Sequence, residues 1–203
     1  MVDEIFDTLK AGNSRFVAGL RINHDFVTQR KELKNEQNPF AAIMTCSDSR
    51  VISEYIFDTG IGDLFIVRNA GNIIDTVSLA SLEFAVTSLG VKFLLIMGHE
   101  SCGAVLKAID DFEHDKSDSI LVKAIMPSVL RAKQKLIYSD NYIAETIIEN
   151  VKHQCDEICK NSALLRKKLE KEEIHIAGGY YHFETGEVEF FELKNNTFVQ
   201  DSV

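Results

Sequence analysis

No stretch of the 203 residues stays apolar long enough to cross a membrane; the longest hydrophobic runs are of strand length, against the roughly 20 residues that a span requires. The opening MVDEIFDTLKAGNSRF has neither the basic flank nor the continuous apolar segment of a secretory signal, so a cytoplasmic chain is expected. Basic residues are outnumbered, 22 Lys and Arg against 31 Asp and Glu, for a formal charge of -9. Nucleic acid and anionic membranes reward the opposite balance. Neither is expected as a partner, and an anionic substrate would need a local positive site. Cysteines number four, which in a reducing compartment reads as metal ligands or buried thiols rather than disulfides. There is no internal repeat, low-complexity tract or linker.

With 45% apolar residues the chain can bury a full core, and its length favours one domain, 1–203. Residues 3–18 and 26–36 read as amphipathic helices closed by Asn38 and Pro39, an N-terminal helical arm over 1–38. Beyond it the period changes. FAAIMT (40–45), DLFIVRN (63–69), KFLLIMG (92–98) and EIHIAGGYY (173–181) are short, nearly continuous apolar runs, as in strands buried on both faces of a parallel sheet. A helix is predicted over 76–89, capped by Thr76 and ended by Gly90, and the sequence from 117 to 172 reads as helical, with Pro127 at a start or kink. In YYHFETGEVEFFEL two alternating runs flank Thr185 and Gly186, predicting a hairpin. The expected fold is α/β: a mainly parallel central sheet with an antiparallel C-terminal edge strand and helices on both faces.

Reactive side chains gather after two of the strands. IMTCSDSR (43–50) places Cys46, Asp48 and Arg50 behind one, and LLIMGHESCG (94–103) places His99 and Cys102 behind another. Ligands of open parallel sheets collect beyond the carboxyl ends of the strands, where strand order reverses. If these strands are neighbours, sulfur, nitrogen and oxygen donors of the kinds zinc accepts converge there. Buried thiols beside a hydrogen-bonded loop histidine are the other reading of the same residues. Cys155 and Cys159, four apart on a predicted helix, read as buried thiols.

CSDSRV (46–51), FIVRNAGN (65–72) and GHESCGAV (98–105) resemble the β-class carbonic anhydrases, and the likeness extends to AGNSRFVAG, SLEFAV and GGYYHFETGEVEF. The resemblance implies one catalytic Zn2+ per chain on Cys46, His99 and Cys102, with water or hydroxide in the fourth position, and hydration of CO2 to bicarbonate. It implies that Asp48 orients the nucleophile and that Arg50 holds Asp48 off the metal, with Asp48 an alternative fourth ligand at low pH. Gln37 occupies the substrate-binding position of the plant-like subgroup; the other subgroup has tryptophan there and a separate inhibitory bicarbonate site, and this chain has no tryptophan. Phe65 and Phe84 match pocket positions, with core packing the other reading of both; Ala70 and Gly71 would leave room beside the metal, and Gly103 would let the following helix approach closely. N-terminal helices embracing a partner, and a pocket at the subunit interface, imply a homodimer or dimer-based tetramer. The alternatives are a carbon disulfide or carbonyl sulfide hydrolase on the same site, and a non-catalytic zinc-stabilised binding module.

Overall fold

A computed structural model describes residues 2–114, 116, 119–135, 141–194 and 197–200. The four apolar runs form strands β1 (Ala41–Cys46), β2 (Leu64–Asn69), β3 (Phe93–His99) and β4 (His175–Tyr181), followed by β5 (Val188–Lys194) and β6 (Thr197–Gln200). They make one sheet in the order β2-β1-β3-β4-β5-β6. The first four strands are parallel and the last two antiparallel, so the edge lies one strand beyond the expected hairpin. Every residue of β1 and β3 is buried, which is why both read as unbroken apolar runs.

Alternate side chains of the strands face two separate helical layers. Ala42, Met44, Leu94 and Ile96 pack under α4 (Thr76–Ser88), α7 (Tyr142–Asn161) and α8 (Ala163–Glu170). Ala41, Ile43, Leu95 and Met97 face Phe6 and Leu9 of α1 (Val2–Val17) and Ile56 of α3 (Ser53–Ile56). A third cluster joins Cys46 and Cys102 to apolar residues of α5 (Gly103–Glu113), α6 (Ile120–Lys135) and α7. α7 lies so close to the sheet that a Cβ at Gly98 would stand 2.8 Å from Val151 Cγ2. A strand with a side chain there would push the helix off the third cluster.

Several local expectations need correction. The arm's second helix, α2 (Phe26–Glu32), stops before the predicted 36. α4 is capped by Asp75 rather than Thr76: the Asp75 carboxylate accepts from Val77 N at 3.0 Å and Ser78 N at 2.7 Å, and Ser78 Oγ accepts from Asp75 N to complete a capping box. Of the two places expected for Pro127, a helix start or a kink, the start is ruled out, because it lies inside α6. Of the predicted helical stretch 117–172, residues 117, 118 and 136–140 lie outside the described residues.

The N-terminal arm is tied down by polar side chains. Asn13 donates to Ile56 O (3.2 Å) and Gly186 O (2.9 Å) and accepts from Val188 N (2.9 Å), pinning α1 to the hairpin. The wholly buried Asp58 carboxylate receives Arg15 Nε at 2.6 Å and Ile22 N at 3.0 Å, with Arg21 Nε at 3.5 Å and His24 Nε2 at 3.6 Å. Burial pushes the Asp58 carboxyl up, but these donors outweigh it and hold the group below the usual carboxylate range.

Candidate metal centre

β1 lies between β2 and β3, so strand order reverses there, and the crevice opens between the carboxyl ends of β1 and β3. Cys46 is the last residue of β1 and His99 the last of β3. Cys102 follows a turn in which Ser101 takes φ +54, and caps α5. The ligand atoms of Cys46, His99 and Cys102 lie within 4.8 Å of one another, all three residues buried.

The two sulfurs are 4.0 Å apart, too far for a disulfide bond. Two sulfurs at 2.3 Å from a shared tetrahedral zinc would be about 3.8 Å apart, so the spacing suits such an ion. His99 Nδ1 sits 2.8 Å from Glu100 O. A carbonyl only accepts, so Nδ1 carries the proton and Nε2 presents a lone pair. That Nε2 is buried and makes no hydrogen bond. A buried nitrogen left unpartnered costs about 1–3 kcal/mol unless something else satisfies it. Two thiols and an orphaned imidazole nitrogen form a donor set that fits a soft divalent cation.

The thiols already share their protons unequally. The Cys102 hydrogen bond lowers Cys46, against the opposing effect of burial, and the N–H groups of Gly71 and Asp48 assist. The same Cys46 contact, with burial behind it, pushes Cys102 up. One backbone donor is Gly71 N, 3.4 Å from Cys46 Sγ. Gly71 has φ +75, and a Cβ there would meet Ile125 Cδ1 at 3.0 Å and Ala104 Cβ at 3.1 Å, so only glycine turns this N–H towards the sulfur without strain.

Asp48 and Arg50 stand beside the cluster as a closed pair. Arg50 Nε donates to Asp48 Oδ1 at 2.9 Å, Nη2 to Oδ2 at 2.8 Å, and the Arg50 backbone N–H to Oδ1 at 3.0 Å. The guanidinium holds the Asp48 carboxyl far below the usual carboxylate range. Asp48 Oδ2 is 3.9 Å from His99 Nε2, at the edge of the ligand set.

Other predicted site residues divide by place. Gly71 is at the cluster, and Ala70 precedes it in the same short 3-10 turn, exposed. Gly103 begins α5, but a Cβ there would meet nothing within 4 Å, so within one chain no close helix approach depends on it. Phe65 pairs with Ala42, four residues before Cys46, about 13 Å along the strand at ~3.3 Å per residue. It contacts Phe84, their rings 6.2 Å apart, on the helical layer of α4. Gln37 is exposed in the connection to β1, and no described contact ties it to its own chain's cluster.

Sequence reasoning missed four supports. Arg68 donates to Cys46 O (3.2 and 3.1 Å) and Asp48 O (2.8 Å), bracing the turn that carries a thiol and the carboxylate. Asn150 of α7 donates to Gly71 O at 2.9 Å, and Gln154 accepts from Ile74 N at 2.8 Å, both from buried positions. Two polar residues one turn apart on the apolar face Ile147, Val151, Cys155, Ile158 were the available signal. Phe183 packs on Arg50 and His99. Cys155 is fully buried and Cys159 half-buried, and burial pushes both thiols up, as expected of inert cysteines.

Residues 41–188 match the family model described as carbonic anhydrase. The chain belongs to the β-class carbonic anhydrase family. It is 37% identical over 187 residues to the carbonic anhydrase of Mycolicibacterium smegmatis, covering 89% of each. Its fold matches the β-carbonic anhydrase CcaA with a TM-score of 0.76 at 23% identity, over 98% of this chain and 93% of that one. A structure from a study of two tetrameric β-carbonic anhydrases of Sordaria macrospora matches with a TM-score of 0.70 at 21% identity, over 93% of this chain and 96% of that one. Among the described residues, no helix of this family member is long and apolar enough to cross a membrane.

Proposed function

We propose that this carbonic anhydrase uses zinc to interconvert carbon dioxide and bicarbonate. The observation that carries the reading is His99 Nε2, buried, unpartnered and facing two thiols, with a fixed carboxylate 3.9 Å away. Cys46, His99 and Cys102 would hold the ion, which when bound supplies the Lewis acidity that brings the ionisation of water to about pH 7, the value established for carbonic anhydrase. Asp48 accepts a hydrogen bond from the nucleophilic water and so directs a lone pair at the carbon of the substrate. Arg50 occupies both Asp48 oxygens and keeps that carboxylate off the ligand positions. Freed from Arg50, Asp48 is the fourth donor that would close the site at low pH. A closed structural zinc site needs four protein ligands and has no use for such a pair, which favours an enzyme over a zinc-stabilised binding module.

Gln37, Phe65 and Phe84 lie away from their own chain's cluster, and Phe84 is substantially exposed beside the edge strand. In the two-fold assembly that we propose, with a tetramer of such dimers as the larger form, they serve the pocket at the subunit interface. Gln37 there hydrogen-bonds a bicarbonate oxygen. Residues 1–203 then act as one unit with 1–38 as its arm, and the four free cysteines suit the reducing cytoplasm. Parallel stopped-flow assays of metal-quantified protein with carbon dioxide, carbonyl sulfide and carbon disulfide test the substrate. Rapid hydration of carbon dioxide with little turnover of the sulfur analogues is expected; the reverse order would replace the proposed substrate.

A further inference from the structure

Phe183, between β4 and β5, touches both halves of the site while contributing no donor atom to it. Its ring centroid lies 4.2 Å from the Arg50 guanidinium carbon and 5.2 Å from the His99 ring, and Tyr181 meets it edge-on at 5.5 Å. The Arg50 side chain is more than half exposed, so its bidentate grip on Asp48 would otherwise compete with water on its open face. An aromatic face removes that freedom and attracts the cation as well.

The ring is itself held. Glu100, next to His99, uses three groups at once: its carboxylate accepts from Phe183 N at 2.8 Å, its N–H donates to Tyr181 O at 2.8 Å, and its carbonyl accepts from His99 Nδ1. A single residue thus fixes the tautomer of His99 and the backbone of the ring that covers Arg50. The path runs Glu100, Phe183, Arg50, Asp48, and returns to His99.

We propose that Phe183, anchored by the Glu100 carboxylate, is a positioning residue that holds Arg50 in the plane needed to grip both oxygens of Asp48. This rests on the reading of Asp48 as the group that orients the nucleophile. Phe183→Leu keeps apolar volume but removes the ring face, whereas Phe183→Tyr keeps the face and Glu100→Gln keeps an acceptor for Phe183 N. In the zinc-loaded protein, Phe183→Leu should lower kcat/KM about 2- to 5-fold, the range that loss of a solvent-exposed cation–π contact allows. Metal content should be unchanged, and Phe183→Tyr and Glu100→Gln should stay near wild type.

Two readouts separate positioning from mere packing. The Arg50 Nε–H resonance should lose its shift and its protection from solvent exchange in Phe183→Leu but keep them in Phe183→Tyr. In an Arg50→Ala background, Phe183→Leu should cost nothing further. Should Phe183→Leu fail to fold, Glu100→Ala carries the same tests, because it keeps the phenyl group but removes the anchor that holds its backbone over Arg50. An unmoved Arg50 signal, or a penalty from Phe183→Leu that persists undiminished without Arg50, would overturn the inference. An inactive wild-type protein with an intact Arg50 signal that responds to Phe183→Leu would instead count against the carbon dioxide reading and leave this positioning role supported.

Discussion

The cluster's chemistry depends on atoms with a single available use. His99 Nδ1 is committed to a carbonyl and only Nε2 remains, so His99→Ala deletes the cluster's nitrogen donor. Arg50→Ala should leave zinc bound yet lower kcat/KM about tenfold or more, because it removes charge-assisted hydrogen bonds to a group that acts in the transition state and releases a competing carboxylate. Stopped-flow kinetics with metal analysis on the same sample checks this, and unchanged kinetics would mean that Asp48 needs no clamp. Gln37→Ala should weaken catalysis with zinc retained; identical kinetics would make Gln37 an ordinary surface residue. Cys46, Asp48, Arg50, His99 and Cys102 were legible in the sequence because each has distinctive chemistry and sits within a few residues of a strand end. Arg68, Asn150 and Gln154 were not, since each acts by bonding main-chain groups 20 or more positions away. Such contacts leave no mark in local spacing.

Strands and helices followed their periods, and the misreadings fell at their ends. Thr76 and Asp75 are both good capping types, and sequence alone does not say which takes the extended backbone of a cap; here Asp75 does, at φ -110 and ψ 178. Asp75→Ala should therefore destabilise by about 1 kcal/mol in urea unfolding, while Thr76→Ala should stay within about 0.5 kcal/mol. Equal losses would reinstate Thr76 as a partner in the cap. The arm's clasp has a pH signature. Asp58 titrates lower in the folded chain than unfolded, so its stabilisation is present in full above the unfolded value of about 4 and is lost as pH falls through the folded value. The stability gap between wild type and Asp58→Asn should accordingly narrow on acidification below about pH 4, and a constant gap would show that the carboxylate's charge is irrelevant. No spacing rule pointed to Asp58, because its side-chain partners come from the arm some 34 to 43 residues earlier.

The whole molecule joins a sheet whose order reverses at β1 to a cluster made at that reversal. The α/β class and the parallel order were readable because buried parallel strands leave unbroken apolar runs. The neighbouring of β1 and β3, on which the cluster depends, was an assumption that only the strand order resolves. The assembly prediction belongs at this scale: sedimentation should find the active species at twice 22.8 kDa or a multiple of that, and a fully active monomer would remove the interface pocket. The central claim is that three side chains make one zinc site that drives carbon dioxide hydration. Its most direct test is to titrate zinc into metal-stripped protein while following hydration by stopped flow. Activity should rise in proportion to bound metal and stop at about one zinc per chain, with Cys102→Ser and His99→Ala flat throughout. Hydration that is independent of added zinc, or a Cys102→Ser protein that fills and works like wild type, would contradict it.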